Sequence, residues 1–324
     1  EKSAILSIDG FGDFTSTMSA IGNGNSFEVL DAVNYPHSLG VFYTAVTQFL
    51  GFPNYGDEYK VMGLAPYGEP KYIKELDKIL SLTDDGFFKL NAIYFKHFKE
   101  GVAMDWENGS PNIDALYTNE WISLFWKARL KEEELEQFHI DLATSVQRFT
   151  ENVIFHMLNH LHAKTGLDNI CISGGVAQNS VANGRILSNT LFKNIYVPSA
   201  GHDAGTSIGS ALYLYNHILG KQRLPETTSA YFGKQSTQSE IIAVLDIRGV
   251  KFSILTDDEL FEKVANKLVD GGVIGWFQGR AEFGSRALGH RSILVDPRRS
   301  DAKELLNKKI KRRESFRPFA PSIL

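Results

Sequence analysis

Asp9 stands at the end of an apolar run in SIDGFGDFTST, with Gly10 and Gly12 behind it and several hydroxyls beyond. Backbone N–H groups in such a turn can point at phosphate oxygens, and the carboxylate can hold a divalent cation beside them. A second turn, SGGVAQN, offers Gly174 and Gly175, against whose bare backbone an adenosine can lie, and Asn179, whose amide can hydrogen-bond it. A third, GHDAGTSIG, places His202 and Asp203 just ahead of a helix N-terminus, where orphan N–H groups favour an anion. Asp-Gly and Gly-Gly are also the commonest turn makers, so any one of the three alone reads equally well as a corner. Three of them at strand ends of one domain are a better signal for a nucleotide.

A different chemistry belongs to the C-terminal basic segment. Between Arg298 and Arg317 nine Lys or Arg stand against three acids. Lys303, Lys308 and Lys309 read as a solvated helix face. In IKRRESFRPF the charges sit among Phe316, Pro318 and Phe319, where the chain must be partly buried, and a buried cation needs an anionic partner. A small phosphate-bearing molecule suits this stretch better than DNA, because the domain is too mixed in charge to track a polyanion. Arg280, Arg286 and Arg291 are spaced through GRAEFGSRALGHRS; one is expected to pair with Glu282, leaving the others for phosphate.

Other polar residues carry weaker signals. His156 and His160 have the i, i+4 spacing of a zinc pair, but no Glu occupies the HExxH position and no third ligand is obvious, so metal binding there is disfavoured. His202, next to Asp203, is the better candidate for polar work. His37 in YPHSLG either caps a helix or faces a cleft. Asp57, Glu58 and Lys60 precede a Met-Gly-Leu-Ala-Pro turn and read as a surface pair or a cleft wall with equal weight. Asp141 in HIDLATSVQ reads first as a helix N-cap.

The elements that must position these residues follow from pattern. Residues 3 to 35 alternate β-rich runs with Gly and Asn turns, and GNGN between two such runs is a hairpin signal, which gives a three-stranded meander with Asp9 and Gly10 at its first turn. From about 38 to 63 the pattern is helical, punctuated by Pro53 and Pro66, and residues 69 to 120 read as an irregular insertion or lid. Leu142, Val146, Phe149, Val153, Met157, Leu158 and Leu161 recur every three or four residues and predict a long helix from about 134 to 165, capped by Gly166. A strand NICIS, a helix at about 177 to 190, a strand NIYVPS and a further helix follow. Helices alternating with strands predict a covered, mostly parallel α/β sheet. A polar stretch from 221 to 245 marks a domain boundary, after which a strand near 251 to 255, a helix at 257 to 269 and the strand GVIGWFQG restart the pattern. Domains are therefore expected at 1–235 and 236–324.

Composition sets the outer limits. The chain has 324 residues, 43% hydrophobic and 22% charged, with a formal net charge of -4, so nothing global points to nucleic acid or an anionic membrane. No apolar run reaches the ~20 residues that a membrane-spanning helix needs. The single Cys171 excludes an internal disulfide, suits a reducing compartment and reads as a small buried hydrophobe; a cytoplasmic location is expected. A strand pattern begins within a few residues of Glu1 and the sequence stops on an apolar pair, so both ends read as cuts and a piece of a longer enzyme is expected.

Taken together, LSIDGFGD, YPHSLGVFYTAVTQFLGF, DEYKVMGLAPYGEPKY, ISGGVAQNSVANGRI, AGHDAGTSIGSALY, GWFQGRAEFGSRALGHRSILVDPR and RESFRPFAPSIL resemble, in order and from end to end, the nodulation, cephamycin and tobramycin type of O-carbamoyltransferases. The resemblance implies an actin-like ATPase domain, similar to the tRNA threonylcarbamoyl-transfer enzymes, followed by a domain that makes carbamoyl-adenylate. It implies that ATP and carbamoyl phosphate give carbamoyl-adenylate and pyrophosphate in the second domain, and that the first domain transfers the carbamoyl group to a hydroxyl of a small-molecule acceptor with a divalent metal (Fe, or Mg or Mn). Carried over, Asp9 and Asp203 are metal ligands, and Asp203 with His202 is catalytic. Asp9, Gly10, Gly12, Gly174, Gly175 and Asn179 hold nucleotide in the first domain, Arg286 contacts the adenylate in the second, and Lys311 and Arg317 bind carbamoyl phosphate. Further His ligands of the family lie in a motif upstream of this sequence, further Arg and Ser contacts lie downstream, and Ser285 replaces the more usual proline. A fragment lacking these is expected to turn over little. The resemblance implies no membrane or nucleic-acid partner and leaves a homodimer open. The competing readings are tRNA threonylcarbamoyl transfer, a sugar kinase of the same fold, and a nucleotide-binding scaffold without chemistry.

Overall fold

A computed structural model describes residues 2–107 and 109–322. The chain divides into two compact units, residues 1–224 and 225–324. The first is built on a five-stranded sheet of β1 (Lys2–Ile8), β2 (Thr15–Asn23), β3 (Ser26–Asn34), β8 (Asn169–Ser173) and β9 (Asn194–Tyr196) in the order β3-β2-β1-β8-β9. The meander forms as expected: β1–β2 and β2–β3 are antiparallel, and Asn23 pairs with Ser26 across a turn in which Gly24 takes φ +59°. Beyond β1 the sheet changes character, because β1–β8 and β8–β9 are parallel. The expected mostly parallel sheet is thus corrected to a mixed one. Helix-strand alternation governs only its later strands, while the short turns of residues 3 to 35 force antiparallel neighbours.

Two helices support the sheet. In α1 (Leu39–Phe49) the Ser38 hydroxyl accepts the N–H of Val41 at 3.1 Å, and Leu39, Phe42, Val46 and Phe49 are buried. After a break at residues 50–57 comes α2 (Glu58–Leu64), ahead of Pro66. Between it and the long helix lie α3 (Ile73–Ile79), a hairpin of β4 (Leu80–Leu82) and β5 (Phe88–Leu90), α4 (His97–Glu100), a hairpin of β6 (Met104–Glu107) and β7 (Ser110–Ile113), and α5 (Glu120–Phe125). This region has a core of its own: Trp121 is fully buried among Phe49, Phe95 and Phe125, and its indole N–H donates to the Tyr94 carbonyl at 2.7 Å.

The long helix is α6 (Gln137–Thr165), and the seven apolar residues of its stripe are all buried. Each such side chain contributes about 1.5–3 kcal/mol relative to exposure. Gly166 ends the helix in the left-handed region at φ 65°. Glu136, not Asp141, is its N-cap, in a box closed by His139; Asp141 lies inside the first turns, where it accepts from the Glu69 N–H at 2.9 Å and from Lys71 at 2.7 Å. The helix expected at 177–190 is instead a 3-10 turn (Val176–Gln178) and two short turns, α7 (Ser180–Asn183) and α8 (Ile186–Asn189). Asn179 caps α7 and Gly184 follows it, so the cap residues divide the segment. Helix α9 (Thr206–Leu212) runs into a wider turn at Tyr213–Ile218. Cys171 is half-buried, its Sγ 3.4 Å from the Ser3 hydroxyl.

The second unit contains α10 (Gln238–Ile247), α11 (Asp257–Val269), the antiparallel pair β10 (Val273–Phe277) and β11 (Arg291–Val295), and α12 (Ala302–Glu304), which runs into a wider turn at Leu305–Ile310. Both long helices begin in capping boxes, Thr237 with Glu240 and Thr256 with Glu259. Residues 251–255 have no strand pairing, which corrects the expectation there. Among the described residues, no helix is long and apolar enough to cross a membrane.

Candidate nucleotide and anion sites

Strands β1, β8 and β9 run parallel, so the turns after them leave the same edge of the sheet. Those turns carry Asp9–Gly10, Gly174–Gly175 and His202–Asp203 respectively. Ligands of open α/β sheets collect at the carboxyl ends of parallel strands, and here the three turns touch one another. The Gly174 N–H donates to the Gly201 carbonyl at 2.6 Å. Gly174 takes φ +97°, and a Cβ there would lie 2.1 Å from the Ile8 carbonyl oxygen; one on Gly175 would lie 2.8 Å from Asp9 Oδ1. Gly174 is therefore demanded by the close approach of the β8 turn to the end of β1, whereas a Cβ on Gly175 would press only on the Asp9 carboxylate. Gly12 closes the first turn by donating to the Thr15 carbonyl at 3.0 Å, while the space beside Gly10 is open.

The electrostatics follow from that approach. Burial pushes the Asp9 carboxyl above the usual carboxylate range, the N–H groups of Gly10 and Gly175 pull it back, and the charge of Asp203 raises it again. His202 accepts the Ala204 N–H on Nδ1 at 3.4 Å, and its buried Nε2 has no hydrogen-bond partner among the described residues. The Tyr55 phenol is pushed up by burial and then by the charges of Asp203, Glu58 and Asp9, which places it at the same mouth. Asp203 itself is exposed. Two carboxyls and one unpartnered imidazole nitrogen can hold a cation beside a phosphate, while the N–H groups of Gly10 and Gly175 are taken by Asp9. Among the described residues, however, no group of three or more His, Cys, Asp or Glu side chains could hold a metal ion, so these donors do not complete a metal centre by themselves.

Other residues read from the sequence fall elsewhere. Asn179 turns inward: it is 9% exposed, caps α7 and pairs its amide with Gln147. His37 caps nothing; its Nδ1 accepts the Leu90 N–H at 3.1 Å, and Ser38 is the cap. His156 Nε2 lies against the Thr83 carbonyl, and His160 packs on Gly86. Asp57 and Lys60 form a largely buried pair at 2.9 Å, and Glu58 accepts the Thr44 hydroxyl at 2.6 Å. Tyr55, Ser38 and Gly40 were not singled out by sequence. Ser38 donates to the carbonyls of Asp9 and Gly10, and a Cβ on Gly40 would meet Gly10 Cα at 2.6 Å. These contacts span about thirty positions in the chain, and no local pattern announces them.

In the second unit Lys311, Arg313 and Arg317 gather. Burial and then the charges of Arg313 and Arg317 push the Lys311 ammonium below its usual value. Arg317 lies 3.6 Å from Glu314, and Arg313 stacks on Phe319 and donates from Nε to Asn307 Oδ1 at 2.7 Å. Asn307 is fully buried, and its Nδ2 donates to the carbonyls of Ser315 and Arg317, so this asparagine shapes the cationic turn. Arg286 rides on the loop that Glu282 closes. Glu282 takes the backbone N–H groups of Leu288, His290 and Arg291, whereas the Arg291 guanidinium goes to the Gln278, Gly279 and His290 carbonyls and over the Phe277 ring. Arg291 thus meets Glu282 through its main chain.

A mixed α/β unit with glycine turns at the ends of adjacent parallel strands, followed by a unit with a cationic turn, defines a two-unit α/β protein. The chain belongs to the carbamoyltransferase family: residues 1–212 match the carbamoyltransferase N-terminus and residues 265–324 the carbamoyltransferase C-terminus. Over its whole length it is 42% identical to an uncharacterized protein of Synechocystis, covering 52% of it. It is 37% identical to nodulation protein NolO of Bradyrhizobium diazoefficiens, covering 55%, and 37% identical to nodulation protein NolNO of Sinorhizobium fredii, covering 44%. The chain spans about half the length of these curated relatives.

Proposed function

We propose that the chain is part of an ATP-dependent O-carbamoyltransferase whose first unit is an actin-like ATPase domain and whose second makes carbamoyl-adenylate. The meeting of Asp9, Gly175, His202 and Asp203 at the ends of β1, β8 and β9 carries this reading. Water hydrolyses carbamoyl phosphate to inorganic phosphate and carbamate, and a carbamate oxygen then attacks the α-phosphorus of ATP and displaces pyrophosphate. The Lys311, Arg313 and Arg317 turn supports binding of the carbamoyl phosphate dianion, since an anion there relieves the mutual repulsion of the three cations. Arg286 is the proposed adenylate contact. In the first unit the Gly10–Gly12 and Gly174–Gly175 turns orient the nucleotide phosphate. An acceptor hydroxyl then attacks the carbamoyl carbon and AMP leaves. Asp203 and His202 take the acceptor proton and hold the reacting groups. A divalent cation would supply charge neutralisation beside Asp9 and Asp203, with ligands beyond the described residues. The acceptor is a hydroxyl-bearing small molecule or sugar.

The test is pyrophosphate release from ATP. Release that requires carbamoyl phosphate, with one phosphate for each pyrophosphate, is expected. Dependence on threonine and bicarbonate would instead favour threonylcarbamoyl transfer, and ADP formation a kinase. Lys311→Ala and Arg317→Ala are each expected to lower release at least about 100-fold with the fold intact by circular dichroism; release surviving either change removes the carbamoyl phosphate site.

A further inference from the structure

Helix α1 reaches both glycine turns. At its N-cap the Ser38 hydroxyl holds the carbonyls of Asp9 and Gly10. Further along, the fully enclosed Tyr43 hydroxyl donates to Gln147 Oε1 on α6 at 3.1 Å. Gln147 and Asn179 form a reciprocal amide pair: Gln147 Nε2 donates to Asn179 Oδ1 at 3.0 Å, and Asn179 Nδ2 donates to Gln147 Oε1 at 2.9 Å. The second N–H of Gln147 goes to Glu151 Oε1 at 2.9 Å, and the other Glu151 oxygen takes Arg185 at 2.7 Å. Asn179 Oδ1 also accepts the Ala182 N–H at 3.0 Å, so the pair fixes the end of the SGGVAQN turn.

Gln147 is 4% exposed and uses both N–H donors and both lone pairs of its amide. A side chain that answers three residues from three segments in this way is held for its hydrogen-bonding pattern, since an apolar residue of equal volume would leave Tyr43, Asn179 and Glu151 each short of a partner. We propose that Gln147 is a positioning residue of the nucleotide site, holding the SGGVAQN turn in register with the Asp9 turn through Asn179 on one side and Tyr43 and α1 on the other. The inference rests on the reading of those turns as a nucleotide site.

Gln147→Glu keeps the shape and removes the donors. The new carboxylate faces Glu151, with Arg185 and Arg148 beyond it and Glu58 on the far side of Tyr43, so it is expected to take a proton as the pH falls and to regain one donor. The protein and its variants are titrated with ATP by calorimetry at pH 8 and pH 6, with the melting temperature recorded at each pH. The expected result is an affinity loss on the order of tenfold at pH 8, largely recovered at pH 6, and about threefold for Tyr43→Phe, which removes one hydroxyl from an otherwise unchanged ring and serves if Gln147→Glu does not fold. Affinity unchanged in both variants overturns the proposal. So does a loss that ignores pH and merely follows the melting temperature. Absence of ATP binding by the unmodified protein instead removes the nucleotide reading itself.

Discussion

At Asp9 a carboxyl is drawn out of water beside a second carboxylate, Asp203, and burial outweighs the two backbone N–H groups and the His202 imidazole that compensate it. Its raised value in the fold means that the unfolded chain gives up this proton first. Ionisation therefore costs stability once the pH exceeds the unfolded value, and the cost is absent in acid, where both states are protonated. Asp9→Asn should raise the melting temperature at pH 7, with a gain that shrinks to nothing as the pH falls below the ordinary carboxylate range. The same change should lower pyrophosphate-coupled carbamoyl transfer at least about 100-fold. A melting temperature that falls at pH 7 would mean that Asp9 serves the fold. Asn179 shows what residue type alone leaves out: an amide placed two residues past a Gly-Val-Ala turn suits a nucleoside, and its partner within the fold is a glutamine thirty-two positions earlier.

Elements were legible where one pattern governs them. The α6 stripe, the Gly24 turn and the helix that begins at Asp257 rest on local chemistry and stand where the sequence puts them, whereas α10 starts inside the stretch that reads as a polar boundary. Segment 177–190 was misread because apolar spacing outvoted Asn179 and Gly184, whose preference for caps decided the outcome. The β8 turn shows the opposite limit, since Gly174 was legible but the crowding that requires it was not. Gly174→Ala should cost about 2–4 kcal/mol in urea denaturation, because φ +97° and a Cβ 2.1 Å from the Ile8 carbonyl cannot both be relieved. In the second unit, burial raises the Glu282 carboxyl but the N–H groups of Leu288, His290 and Arg291 outweigh it, to about 2. The clamp is therefore complete above about pH 4.5 and lost as the pH falls toward 2. In Glu282→Gln those three amides should exchange on the order of tenfold faster at pH 7; unchanged exchange would mean the loop holds its shape unaided.

At the scale of the whole chain the two units differ in how they are held. The first has a continuous apolar core under its sheet and a second aromatic cluster around Trp121. Among the described residues of the second unit only Asp296, Leu306 and Asn307 are buried, and Ile247 on α10 and Val269 on α11 are strongly exposed. Helices with little buried apolar surface open easily whatever their caps contribute. Amides of α10 and α11 should thus exchange on the order of 100-fold faster than those of α6, read by hydrogen exchange on the intact chain. Equal protection would show that these apolar faces are covered in solution.

By itself the sequence determined the chemistry on offer: three glycine turns with two aspartates, a basic turn among phenylalanines, and motifs that name a family. It also determined the elements whose stability is local, such as the meander and the long helix. Only the tertiary structure decided which turns meet, that Asp9 lies against Gly175 and feels Asp203, that Tyr55 joins them, and that Asn179 faces a glutamine instead of open space. Local pattern reflects propensity and periodicity over a few residues, whereas a site is made by contacts between segments some 165 to 195 positions apart. Those depend on strand order and close packing, which no window of sequence contains.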